Sequence, residues 1–184
     1  AAEPMRFRKL RVGAGAAAQT ATVSLNDTNQ TATLKVPKPL AVGITEIHAT
    51  FSGVLNTQLR GFYISKTKLR KYAVTQFEST DARRAFPCFD EPALKATFDI
   101  TLVVDKGDTA ISNGALVGDT PVGEARHALR FATTRKMSTY LVAMLVGDFQ
   151  CIEGSADDVP IRVCTTPGLQ TPGHFALDPA KAST

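Results

Sequence analysis

Phe98, Ile100, Leu102 and Val104 form the cleanest alternation of apolar and polar residues in the chain. A period of two places these four side chains on one face of an extended strand and leaves the other face to polar neighbours. The same period recurs at Ala21, Val23 and Leu25, at Ala32, Leu34 and Val36, and at Ile47, Ala49 and Phe51. The turn signal Asn-Asp-Thr-Asn (26–29) lies between the first two runs, so 21–36 is predicted to be a hairpin with its apolar residues on one face. Met5 and Phe7 are in one phase and Leu10 and Val12 in the other, which predicts a bulge between them. Leu141 to Val146 is nearly continuous apolar, as expected of a central strand covered on both faces.

Helical signal is scarce. Ser79 or Thr80 followed by Asp-Ala-Arg-Arg-Ala-Phe predicts an N-cap and one or two turns, stopped by Pro87. The tail from Pro172, with Ala176, Leu177, Ala180 and Ala182, reads as the start of a second helix that ends before it buries a face. No internal repeat, low-complexity segment or linker interrupts the pattern. The expected fold is therefore all-β, an antiparallel β-sandwich or large twisted sheet with one short helix near 80–86. The simplest domain organisation is a single domain over residues 1–184.

Composition matters here for what it excludes. No apolar run approaches the roughly eighteen residues of a membrane-spanning helix. The net charge of +4 is modest, and Lys66, Lys68, Arg70 and Lys71 form the only dense basic cluster. That cluster reads as a solvated hairpin loop, and the interleaved aromatics of a nucleic-acid surface are missing. The three cysteines include no CxxC pair. Cys88, in the run FPCFD, is expected to pack as a small hydrophobe. Cys151 and Cys164 flank the loop-like stretch GSADDVP, and pairing 152 with 163 and 153 with 162 places the two thiols opposite each other. A disulfide in an oxidising compartment and two reduced neighbours fit this register equally well. No signal peptide is visible and the chain does not begin with Met, so a start downstream of one is compatible with the sequence.

Catalytic constellations are absent from the sequence. His48, His127 and His174 are followed four residues on by Ser52, Phe131 and Asp178, so there is no HExxH. His174 and Asp178 have helical i,i+4 spacing, but two such groups on a terminal segment make a poor metal site. No Walker loop, GxSxG elbow or GxGxxG occurs. Asp90 and Glu91 are adjacent and point apart, so they are expected to serve as salt-bridge or backbone partners, with Arg83 or Arg84 at hand. Gln76 and Glu78 are better placed. They lie two apart in the extended run AVTQFES and project to one side, with Phe77 on the other. A carboxylate and an amide oxygen on one face can hold an ammonium group, although exposed Gln-x-Glu pairs are commonly just solvated.

The run TQFESTDARRAFPCFDEPALKATFDITL (75–102) closely resembles the signature of the aminopeptidase N family of zinc metallopeptidases. LRGFY (59–63), ISNG (111–114) and KMSTYLVAMLVGDF (136–149) are similar to further segments of that family, in the same order. Together these segments cover about half the chain. The resemblance implies a saddle-like N-terminal β-domain packed against a thermolysin-like catalytic domain. It also implies roles for two residues: Glu78 resembles the glutamate that grips the substrate's free α-amino group, and Gln76 the glutamine that lines the same first-residue pocket.

By the same resemblance, the GAMEN loop, the HExxH-(x18)-E zinc site and the transition-state tyrosine all lie beyond this segment, as do strands preceding the part that Ala1–Val12 resembles. Both ends are thus expected to be cut. Zinc belongs to the parent enzyme, and the chain itself is expected to supply no catalytic residue and no metal ligand. Its expected partners are a peptide N-terminus and the catalytic domain of the same protein. Nucleic acid is not expected as a partner. The alternative is a non-catalytic scaffold of the same architecture, against which the pairing of Gln76 with Glu78 argues. Residue preference and localisation stay open, a periplasmic or secreted parent and a cytoplasmic one both being compatible.

Overall fold

A computed structural model describes residues 5–182; the first four residues of the Ala1–Val12 segment and the last two of the chain lie outside the described residues. Along the chain run β1 (Arg6–Val12), β2 (Gln19–Thr20), β3 (Thr22–Asn26), β4 (Thr31–Lys35), β5 (Ile47–Ser52), β6 (Gly61–Lys66) and β7 (Lys71–Gln76). There follow β8 (Thr101–Asp105), β9 (Thr109–Ser112), β10 (Leu116–Val122), β11 (Arg126–Phe131), β12 (Met144–Gly147), β13 (Gln150–Ala156), β14 (Val159–Thr165) and the helix α1 (Gln170–Ala182). The strands pair antiparallel in the sheets β2-β1-β5, β10-β11-β8 and β6-β7-β12-β9 and the hairpins β3-β4 and β13-β14. The all-β expectation holds.

Local chemistry explains most of the pairing. The β3–β4 hairpin sets Val23 opposite Leu34 and Asn26 opposite Thr31. Its turn closes through the Asn26 side chain, whose Oδ1 accepts from the Asn29 amide at 3.0 Å. The phase change in the first strand appears as a register shift between Phe7 and Lys9 in the pairing of β1 with β5. That shift turns Phe7, Leu10 and Val12 to one side, where they pack with Ala21, Val23, Leu34 and Ala49. A second cluster joins β8 and β11 to β9 and β12 through Val104, Leu129, Phe131, Ala110 and Val146, which makes this part a two-sheet sandwich.

Three local readings change. The helical signal at 80–86 becomes one 3-10 turn, Ala82–Arg84, preceded by Asp81 with no side-chain cap, so neither Ser79 nor Thr80 caps it. Leu141–Val146 is not a strand throughout: Thr139–Leu141 form a 3-10 turn and the strand starts at Met144. Its central place between β7 and β9 is as expected, but Met144, Leu145 and Val146 stay partly exposed rather than covered on both faces. The C-terminal tail is a 13-residue helix that does bury a face, through Gly173 and Leu177 against β13 and β14. Leu177 is docked where Gly154 of β13 has no side chain, since a Cβ there would press on the Leu177 methyl groups.

Candidate functional site

The segment that follows β7 is set by one large side chain. Phe77 is only 2% exposed and packs with Ala82, Val142, Phe86 and Phe98, its ring meeting that of Phe86 edge-on at 6.0 Å. Burying a phenylalanine contributes about 2–3 kcal/mol, enough to fix the phase of its neighbours. Gln76 and Glu78, one residue to either side, are accordingly exposed and lie on the opposite face from Phe77. After them the chain turns, with the Asp81 amide donating to the Phe77 carbonyl at 2.8 Å. The Glu78–Ser79 peptide bond is cis.

Gln76 and Glu78 line one shallow groove of about 240 Å³, together with Thr75 and Phe77. Its second wall is Tyr140, Leu141, Val142 and Ala143. The structure therefore brings the two predicted residues to one concave place. Among the described residues neither side chain has a hydrogen-bond or ion-pair partner, so a carboxylate and an amide face solvent in the groove with their bonding capacity free. A larger depression of about 420 Å³ lies on the outer face of β1 and β5, lined by Lys9, Arg11, Glu46 and His48. There His48 and Glu46 pair at 3.2 Å and are well exposed, and an open, self-paired surface of this kind carries less chemical information than the smaller groove.

The residues after the groove act as scaffold. Arg83 donates from its amide and Nε to Asp90 Oδ2 at 3.0 and 3.1 Å and from its terminal nitrogen to the Asp90 carbonyl at 2.9 Å. Thr139 donates its hydroxyl to Asp90 Oδ1 at 2.7 Å. Burial alone would raise the Asp90 carboxyl, but the Thr139 hydroxyl, the Arg83 amide and the Arg83 guanidinium together hold it below the usual carboxylate range. Of the two arginines, Arg83 takes Asp90, and Arg84 pairs with Asp81. Cys88 packs half-buried against the Phe77 cluster, and burial, then the Asp90 charge, pushes its thiol up to about 12.

The remaining predicted positions fall elsewhere. Lys66 and Lys71, paired at the ends of β6 and β7, and Lys68 between them are exposed, while Arg70 is pinned by Asp108 at 2.6 Å and Asp148 at 3.6 Å. Cys151 and Cys164 are cross-strand partners in the predicted register of the β13–β14 hairpin, with sulfurs 2.03 Å apart, and neither lines the groove. His174 and Asp178 are both exposed on α1. Among the described residues no three His, Cys, Asp or Glu side chains come together as metal ligands, so zinc does not fit the residues present. The sequence did not point to Asn113, Ser112 and Thr75 as the side chains that hold the groove's second wall; ISNG was informative only as a family segment.

Known proteins share this segment. Residues 5–141 match the Peptidase M1 N-terminal domain. The chain is 42% identical over 171 residues to the puromycin-sensitive aminopeptidase of Caenorhabditis elegans, covering 89% of this chain and 18% of that protein. It is 44% identical over 165 residues to the alanine/arginine aminopeptidase of Saccharomyces cerevisiae, covering 85% of this chain and 19% of that protein. Over 162 residues it is 38% identical to aminopeptidase N of Acetobacter pasteurianus, covering 85% of this chain and 46% of that protein. The chain thus spans less than half the length of each of these relatives. With three quarters of its residues inside the matched segment and an all-β fold around it, the chain belongs to the Peptidase M1 N-terminal domain family.

Proposed function

We propose that this chain is the amino-terminus-recognition part of a zinc-dependent aminopeptidase, and that Glu78 with Gln76 receives the substrate's free α-amino group in the groove. The observation that carries this reading is the placement of those two side chains, unpaired among the described residues, on either side of the buried Phe77 anchor. An aminopeptidase must tell a chain end from an internal peptide. A carboxylate fixed on a sheet end can do so by charge, and an amide oxygen beside it adds a directional acceptor. Held there, the first residue has its carbonyl at a defined distance from whatever activates it.

Zinc, when bound by the parent enzyme, supplies Lewis-acid chemistry and an activated water. The described residues of this chain bring together no set of ligands for that metal, and the groove residues are assigned binding and orientation alone. Packing on a catalytic domain belongs to the same proposal, supported by the match covering only 18%, 19% and 46% of the three aminopeptidase relatives. The test is Glu78→Gln in the parent enzyme. KM for an aminoacyl reporter is expected to rise at least tenfold with the zinc content unchanged, whereas an unchanged KM would count against the assignment.

A scaffold without peptidase chemistry is the competing reading for the family. It gives no reason for an open carboxylate and amide at the groove, and the parent reading frame decides it: HExxH downstream supports the aminopeptidase.

A further inference from the structure

The groove's second wall is held in place by side chains from other strands. Asn113, the residue after β9, donates from Nδ2 to the Leu141 carbonyl at 2.7 Å and accepts at Oδ1 from the Ala143 amide at 2.7 Å. Ser112 donates its hydroxyl to the Ala143 carbonyl at 2.8 Å, and Thr75 Oγ1 accepts from the Met144 amide at 2.9 Å. The ladder between β12 and β9 ends at the pair Met144 and Ser112. One step further, the Asn113 side chain does what a strand backbone would do, offering a donor and an acceptor to residues 141 and 143 at once. Its own position is fixed by Gly114, where the backbone runs so close to Ala132 that a Cβ would collide with the Ala132 carbonyl.

Asn113 is exposed, and a surface asparagine needs no such arrangement to be tolerated. Both ends of its amide are spent on one short segment, and that segment faces Gln76 and Glu78 across the groove. The wall presents Leu141, 48% exposed, together with Tyr140. We infer that Asn113 is a positioning residue, which fixes the Tyr140–Ala143 wall and with it the space open to the first side chain of a bound peptide, favouring apolar ones. This rests on the amino-terminus reading of the groove. Asn113 itself touches no substrate; it acts through the backbone of 141 and 143.

The experiment compares Asn113→Ala, Asn113→Asp and Glu78→Gln in the parent enzyme, with leucyl and alanyl reporters. Asn113→Asp keeps the side-chain shape but replaces the donor to the Leu141 carbonyl with a second acceptor. Both Asn113 variants are expected to change the leucyl-to-alanyl ratio of kcat/KM by about threefold or more, with Tm within about 2 °C of the wild type. An unchanged ratio, including an equal loss on both reporters, would overturn the inference, and so would a wild-type ratio for Asn113→Asp. Glu78→Gln separates the two ideas: it is expected to raise KM for both reporters without moving their ratio. If it leaves KM unchanged, the amino-group reading fails, while the ratio in the Asn113 variants still decides the role of Asn113.

Discussion

The hydroxyl of Thr139 donates to Oδ1 of Asp90 at 2.7 Å, joining two segments 49 residues apart at an aspartate whose side chain is 2% exposed. Arg83 occupies the other oxygen, so Asp90 ties the turn after the groove's Glu78 to the segment that leads into its second wall. Removing one partner of a buried charge leaves the other uncompensated, so Asp90→Ala is expected to cost about 2–4 kcal/mol in urea unfolding of the chain. The carboxyl is held below its ordinary range in the fold. Its contribution is therefore present above the unfolded pKa of about 3.9 and disappears as pH falls through the lower folded value. Wild type should lose stability on acidification through that window, and Asp90→Ala should lose less of it.

His127 has the opposite sign. Its Nδ1 lies 2.8 Å from an Asp119 carboxylate oxygen and its Nε2 3.1 Å from the Asp108 carbonyl, two acceptors that only the imidazolium can satisfy together. The Asp119 hydrogen bond first, and the Asp108 carbonyl next, raise the group against the opposing effect of burial. Its stabilising contribution is full below the unfolded pKa of about 6.5 and is lost as pH rises through the folded value. A comparison of wild type with His127→Ala by thermal unfolding from pH 5 to pH 9 should show their Tm values converging as pH rises. A gap that does not narrow would show that the charge is irrelevant.

Cys151 and Cys164 are expected to form a disulfide in chain handled without reductant. Denatured, unreduced protein should then yield one thiol to a thiol reagent, Cys88, and reduced protein three. Three thiols before reduction would contradict the pairing. Closing a loop of this length is worth about 3 kcal/mol against the unfolded chain, and Tm should fall on reduction. Native Cys88, its thiol pushed up to about 12, should react slowly at pH 8.

The purified 184 residues are expected to bind no stoichiometric zinc and to hydrolyse no aminoacyl reporter. Metal analysis and a reporter assay on one sample check both. Stoichiometric zinc with metal-dependent turnover would show that the chain holds a complete site.

Local pattern carried the parts of this fold that depend on near neighbours. The Asn-Asp-Thr-Asn turn closes one hairpin, the phase slip after Phe7 is a real register shift, and Phe77 inward with Gln76 and Glu78 outward follows from alternation. What stayed hidden depends on pieces that meet only in three dimensions. The tail containing Pro172, Gly173 and Pro179 has weak helical propensity, and it is Gly173 and Leu177 docking on β13 and β14 that bury its face. Asn113 stands in the sequence only as part of the family segment ISNG, and its role depends on β9 lying beside β12, some thirty residues on. Asp90 could be assigned a salt-bridge role from sequence, but the choice of Arg83 over Arg84 required the 3-10 turn that aims them apart.

Recognition of a free amino group by Glu78 is tested most directly by ligand discrimination in the parent enzyme. The measurement is the inhibition constant of one non-hydrolysable dipeptide analogue, free and N-acetylated, against wild type and Glu78→Gln. Wild type should prefer the free amine by at least about a hundredfold, and Glu78→Gln should reduce that preference to within a few fold, chiefly by weakening the free form. An undiminished preference in Glu78→Gln would contradict the assignment of the amino terminus to this groove.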